Sequence, residues 1–263
     1  MTTKLCATEP QPKRRNRTKP PAEVVCDKCG LYGLCLLAGL EQPGSELLDR
    51  VVARRQPVSR GDFLFEAGER FRGIFAVKSG SFKASTKPNG HGEKVVDFHF
   101  GGELLGLEGI ESGQYAHSVR ALENSSVCAL DFSHVPFTGQ QLVDFQQELI
   151  RTMSDKILHD QRLSALLGTR SAEQRVAAFL VYVSVRYSEH GLPGIEFRLP
   201  MSRDEIAEYL GLALETVSRM FKRFQSHGLL VARGRHTQLL DLPALKEIAG
   251  LESSEGIGTS SVQ

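Results

Sequence analysis

The period of apolar and polar positions shifts along this chain, and each shift marks a different kind of element. Between Val58 and Phe132, short apolar stretches are punctuated by glycine at Gly61, Gly68, Gly73, Gly80, Gly90, Gly92, Gly101 and Gly102. Phe82 and Ala84 alternate with Ser81, Lys83 and Ser85, and Val96, Phe98 and Phe100 alternate with Asp97 and His99. A period of two puts successive side chains on opposite faces of a strand, and turn residues this frequent keep strands short. The stretch predicts a β-sandwich or jelly roll. Just upstream, Ser45 to Arg55 predicts a short helix.

From Gly139 to Leu167 the period becomes helical. Ile150, Met153, Ile157, Asp160, Ser164 and Leu167 follow a 3-4-3-4-3 spacing, the heptad seam along which two helices pair. A long helix with such a seam, placed between two other domains, predicts a homodimer. Asp160 is its odd member. In a parallel homodimer it faces its own copy, and two like carboxylates in a partly dry seam oppose association, so Asp160 is expected to keep the dimer marginal. After the seam, Ser171 to Tyr187 predicts another helix, with Ser171 and Gln174 as a capping box and Val176, Phe179, Leu180 and Val183 as its apolar face.

A stronger local pattern begins at Ser202. With Glu205 three residues on, it forms a capping box that starts a helix carrying Ile206, Ala207 and Leu210 inward. Gly211 and Leu212 make a tight turn, a second helix runs from Ala213 to His227, and Gly228 stops it. Leu229 to Asp241 reads as a hairpin with Arg233, Gly234 and Arg235 at its tip. Helix, turn, helix and wing together predict a winged helix-turn-helix. In that motif the first turns of the second helix enter the major groove. There Glu215, Ser218 and Arg219 share one face. Arg219 has the geometry for guanine O6 and N7, Glu215 for cytosine N4, and Ser218 for a thymine or a phosphate. Lys222, Arg223, Arg233 and Arg235 suit phosphates, which position a protein without reading sequence.

Composition acts mostly by exclusion. The 263 residues suffice for two modest domains. A net charge of +1 names no partner, so DNA binding requires a locally basic surface. The longest apolar run, near Val176 to Val185, falls short of the roughly 20 residues of a membrane span. The basic residues Lys13, Arg14, Arg15, Arg17 and Lys19 are followed by no apolar segment of a secretory signal. These features predict a cytoplasmic protein with no membrane partner. Residues 1–22, rich in Pro, Thr, Lys and Arg, read as a mobile tail that includes Cys6.

In a reducing compartment the five cysteines read as metal ligands or reactive thiols rather than disulfides. Cys26, Cys29 and Cys35 form C-x2-C-x5-C, and Gly30 and Gly33 let the backbone wrap closely around a bulky group. Cys128, in the β segment Val127 to Leu130, is the candidate fourth ligand. Four thiolates suit zinc or an iron–sulfur cluster, and spacing leaves both open.

The cysteine set, the string YLGLALETVSR from Tyr209 to Arg219, and AEQRVAAFL from Ala172 to Leu180 together resemble the cyclic-AMP-receptor superfamily. Within it they resemble the fumarate-and-nitrate-reduction type of oxygen sensor, from Cys26 to Gly250. The resemblance implies a [4Fe–4S] cluster on Cys26, Cys29, Cys35 and Cys128 that favours a DNA-binding dimer and is dismantled by oxygen. It implies base reading by Glu215, Ser218 and Arg219 at a TTGAT inverted repeat, and it matches Asp160 to the family's acidic residue that opposes dimerisation. Activation implies contact with RNA polymerase, for which the turn Lys87 to Lys94 is the candidate surface. Lys28 departs from the acid familiar between the first two cysteines, and a cation there alters the setting of a cluster.

Two rival readings fare worse on the residues. Gly102-Glu103-Leu104 resembles the start of a cyclic-nucleotide cassette, but Ser112 to Ser118 lacks the Arg-Ser pair for the phosphate. An enzyme on a cupin-like roll would use His91, His99 and His117, which show no compact ligand spacing, so no enzymatic activity is expected. A structural zinc site, or another small-molecule signal, is the alternative within a regulator. The expected architecture is α+β: a mobile tail (1–22), a cluster-binding loop and β-roll, jelly-roll-like sensor domain (23–138), a dimerisation helix (139–168), a winged helix-turn-helix (169–250) and a flexible tail (251–263).

Overall fold

The computed structural model describes residues 52–87, 92–130, 171–189 and 191–251, and within 143–161 all but 145, 148, 155, 159 and 160. Its first part is built from β1 (Val52–Val58), β2 (Phe63–Phe65), β3 (Ile74–Ser79), β4 (Phe82–Thr86), β5 (Lys94–His99), β6 (Leu104–Leu105), a one-turn helix α1 (Gly109–Ser112), β7 (Ser118–Ala121) and β8 (Ser125–Leu130). The strands make two four-stranded sheets, in the orders β1-β8-β3-β6 and β2-β7-β4-β5, with antiparallel pairing throughout. This is the β-roll that the alternation predicts. Phe65, Val77, Phe82, Leu105, Tyr115 and Val127 fill it. Phe65 stacks on Tyr115 with centroids 3.8 Å apart, and the Tyr115 hydroxyl donates to the Gly73 carbonyl at 2.9 Å. Gly80 marks a close approach: a Cβ there would lie 2.2 Å from Ser125 Oγ.

The expected helix from Ser45 to Arg55 is overturned where it can be checked. Val52–Val58 is a strand, paired with β8 from Val52 opposite Leu130 to Val58 opposite Ser125. Local helical preference yields here to the unpaired edge of β8, whose backbone groups need partners. Residues 45–51 lie outside the described residues.

The second part contains α2 (Ala172–Glu189), β9 (Glu196–Arg198), α3 (Arg203–Leu210), α4 (Leu214–Ser226), β10 (Leu230–Arg233), β11 (His236–Leu239) and α5 (Leu242–Ile248). The strands form one sheet in the order β10-β11-β9. Both predicted capping boxes form. Ser171 N–H donates to Gln174 Oε1 and Gln174 N–H to Ser171 Oγ, and Ser202 and Glu205 exchange the same pair at 2.7 and 3.1 Å. The wing is predicted as a hairpin alone, but β9 pairs with β11 and makes it three-stranded. Three residues are too short a run to stand out in the pattern.

Alternation ordinarily marks a sheet with one solvated face, and here it does not. Ser81 to Ser85 are all buried, Lys83 at 7% exposure included, as are Asp97 to Phe100. Register explains why. Lys83 pairs with Phe98, whereas Phe82 and Ala84 pair with His99 and Asp97. Cross-strand partners share a face, so Asp97 and His99 lie on the face of Phe82 and Ala84, the face of the roll core. Phe98, with Val95 and Phe100, instead joins a second core with α2, α3 and α4. The DNA-binding module covers what would otherwise be the solvated face.

Candidate nucleic-acid interface and sensor site

The helix-turn-helix is held by a narrow set of contacts. Gly211 ends α3 with φ 61°, and its N–H reaches the carbonyls of Ala207 and Glu208. That left-handed conformation costs an L-residue, through its Cβ, roughly 1–2 kcal/mol, which is why glycine stands at the turn. The Leu212 N–H bonds Ala207 O at 2.9 Å, and Arg175 of α2 donates to Leu210 O at 3.2 Å. α4 then buries Val217, Met220, Phe221 and Phe224, an i, i+3, i+4, i+7 stripe. Arg203 lies over the Phe221 ring, 3.2 Å from its centroid, and burial lowers its pKa to about 10.

Sinking that stripe turns the opposite face outward. Glu215, Arg219, Lys222 and Arg223 are exposed, and Ser218 is half-buried. Arg223 also pairs with Glu173 of α2 at 3.3 Å. At the wing tip Arg233 is exposed, while Arg235 donates to Pro200 O at 2.8 Å, so it braces the wing against the segment leading into α3.

The other predicted residues are only partly within view. Cys128 sits on β8, the strand between β1 and β3, opposite Arg55 and Ala76. Its neighbour Val127 is fully buried in the roll core, so Cys128, half-buried, lies on the outer face. Cys26, Cys29, Cys35, Cys6 and Lys28 are outside the described residues, as is Asp160. An outward thiol on a rigid central strand fits a thiolate-held group brought to the roll by another segment. Among the described residues of 143–161, which are helical, Ile150 and Ile157 are exposed at 63% and 56% while Met153 is half-buried. Isoleucines this open on one helix face leave an apolar strip uncovered in the single chain.

Sequence reasoning missed a constellation where the roll, this helix and α2 meet. Lys156 pairs with Asp97, and Arg186 of α2 pairs with Glu103 and donates to Phe98 O. His99 lies 3.6 Å from both Asp97 Oδ2 and Glu103 Oε2. Burial opposes the charge on Asp97, but His99, Lys156 and Arg186 hold its carboxyl far below the usual range. Burial and then the Asp97 charge push Glu103 well up. Burial lowers His99 to about 4. Residues separated by dozens of positions carry no periodic signal.

The roll and the helix-turn-helix define a class: an effector domain joined to a DNA-reading domain. Residues 55–135 match the family model of the cyclic nucleotide-binding domain, and 174–248 that of the Crp-like helix-turn-helix domain. The chain is 41% identical over 86% of its length to the transcriptional activator protein FnrA of Stutzerimonas stutzeri, covering 92% of that protein. It is 35% identical over 86% of its length to the fumarate and nitrate reduction regulatory protein of Escherichia coli (strain K12), covering 90% of it. Among solved structures, FixK2 from Bradyrhizobium japonicum matches with a TM-score of 0.67 at 26% identity, over 75% of this chain and 98% of that one. The Thermus thermophilus regulator TTHB099 matches in fold, with a TM-score of 0.59 at 21% identity, over 74% of this chain and 96% of that one. The chain belongs to the Crp/Fnr family of transcription regulators. No described helix is long and apolar enough to cross a membrane.

Proposed function

We propose that this protein is an oxygen-responsive transcriptional activator, working in the cytoplasm, that binds a palindromic operator as a homodimer. The observation that carries the reading is α4, the helix after the Gly211 turn, whose outward face presents Glu215, Arg219 and Lys222 beside half-buried Ser218. Glu215, Ser218 and Arg219 read a TTGAT-type half-site, while Lys222 and Arg223 hold phosphates. The seam through Ile150, Met153, Ile157 and Asp160 supplies the two-fold axis that an inverted repeat demands. RNA polymerase is the partner on activation.

The signal enters through Cys26, Cys29, Cys35 and Cys128, which hold a [4Fe–4S] cluster. A cluster bound there is the oxygen-labile group, since thiolate-held iron and sulfide are open to oxidation. The chain's own part is to present Cys128 from a central strand of the roll as one ligand, with Cys26, Cys29 and Cys35 as the other three. In names, the relatives FnrA and the fumarate and nitrate reduction regulator support this reading.

An anaerobic absorption spectrum, with iron and sulfide assays and operator binding before and after air, tests it. A broad band near about 400 nm that bleaches in air, with loss of operator binding, is expected. A colourless protein whose DNA binding ignores oxygen would replace the cluster by a structural zinc site or another signal.

A further inference from the structure

Apolar contact brings the roll and the DNA-binding domain together but fixes no orientation, because burial of apolar surface is non-directional. Phe98 packs on Phe179 and Tyr209 with centroids 6.2 and 5.1 Å apart, and Phe100 on Tyr187 at 5.5 Å. Orientation is set by ion pairs at separate points of the same contact. Lys83 of β4 reaches Glu205 at 3.1 Å and Glu93 at 3.3 Å. Glu205 is also the capping-box residue of α3, so Lys83 grips the first helix of the helix-turn-helix at its N-terminal end. Arg186 of α2 meets Glu103, and Lys156 meets Asp97. Buried ion pairs add little net stability over apolar packing, and fixing one register is their best-attested use.

These pairs tie three bodies together. Asp97 and Glu103 belong to one strand and the turn after it, Lys156 to the helix that carries the seam, and Arg186 to the DNA-binding domain. Lys156, itself partly exposed, pairs with buried Asp97, while Ile157 beside it is 56% exposed. The helix that faces a second copy is therefore pinned to the element that seats the reading domain.

We propose that this seat is a determinant of operator spacing: Lys83, Asp97 and Glu103, with Lys156, Arg186 and Glu205, hold each reading helix rigidly to its own roll and seam, so that a dimer discriminates the distance between half-sites. The proposal rests on the operator-binding dimer described above. Two reading helices must enter major grooves about 34–36 Å apart, and each inserted base pair turns one half-site by roughly a tenth of a turn. A domain on a loose tether follows such a change, and a seated one does not.

The test uses the full-length protein, prepared anaerobically, with Lys83→Met and Glu103→Gln variants that keep side-chain volume while removing the charge. Duplexes carry two TTGAT half-sites at the inverted-repeat spacing, or with one or two base pairs inserted or removed. Binding is followed by fluorescence anisotropy, and hydrogen exchange of α3 reports whether the seat is loosened. The wild type should lose on the order of tenfold or more in affinity for each altered spacing, the usual effect of a misplaced contact. The variants should exchange faster at α3 and show a spacing preference compressed to a few-fold. Faster exchange with an unchanged spacing preference overturns the proposal, and so does unchanged exchange, because the pairs then do not hold the seat. A wild type that binds none of these duplexes sinks the operator-binding reading itself, whereas a wild type that binds with variants matching it sinks the seat alone.

Discussion

Acid should loosen this protein through a single imidazole, by an amount the structure lets one work out. His99 is 8% exposed and lies between Asp97 and Glu103. Burial, with Lys156 and Arg186 nearby, outweighs the pull of Asp97 and lowers its pKa from 6.5 to about 4. A histidine depressed in the fold is kept neutral there, so as pH falls the unfolded chain takes the proton first. Its contribution is fully present above the unfolded value and is lost as pH falls from 6.5 toward 4. By proton linkage the loss between pH 7.5 and pH 5 is about 2 kcal/mol, which for a protein of this size is roughly 4–8 °C in Tm. The neighbours differ in sign and window. Asp97, held low, stabilises above its ordinary 3.8 and loses that only in stronger acid. Glu103 is pushed the other way by burial and by Asp97, while the Arg186 guanidinium against it favours the charged form in which the two pair. His99 is also the first charge that holds Asp97 low, so a His99→Gln variant weakens that carboxylate's contribution as well. The Asp97 effect falls near and below its ordinary 3.8, so the change of the gap between pH 7.5 and pH 5, rather than its size at one pH, reports the imidazole. Calorimetric melts of metal-free wild type and variant at pH 7.5, 6 and 5 should show the Tm gap shifting by about that 4–8 °C, in the variant's favour at low pH. A gap constant across the range would refute the reasoning.

Other expectations follow from particular contacts. Arg219→Ala should weaken operator binding by about 1–3 kcal/mol and relax the preference at one base pair, whereas Lys222→Ala should weaken all sequences alike and reduce the salt slope by about one; anisotropy titrations at several salt concentrations separate them. Gly211→Ala should cost roughly 1–2 kcal/mol by forcing alanine to a positive φ, read as a lower melting temperature of the DNA-binding domain. Asp160→Ala should tighten the dimer in sedimentation equilibrium by removing the facing carboxylates, and an unchanged or weaker dimer would count against the seam. Cys128→Ser should lower the iron and sulfide bound per chain under anaerobic reconstitution while leaving the roll's circular dichroism intact.

Much of this molecule is legible along the chain because the physics involved is local. Ser171 with Gln174 and Ser202 with Glu205 announce their helices, since a cap is a contact across three residues, and both boxes form. Gly211 marks the turn because only glycine takes its backbone angle without cost. The outward face of α4 follows from period alone, as its apolar stripe must sink. Alternation likewise names the roll. What it cannot supply is which face of β5 is covered, or by what. That depends on register with β4 and on a domain that begins dozens of residues later, so Asp97 and His99 read as ordinary polar positions yet lie buried. The strand at Val52–Val58 was hidden for the same reason, its conformation being decided by the open edge of β8. The pairing of Lys83 with Glu205, and the meeting of Asp97, Glu103, Lys156 and Arg186, exist only once three elements are packed together. Short-range hydrogen bonding and periodicity are written in order along the chain, whereas the placement of buried charge is settled only by what the completed fold brings against it.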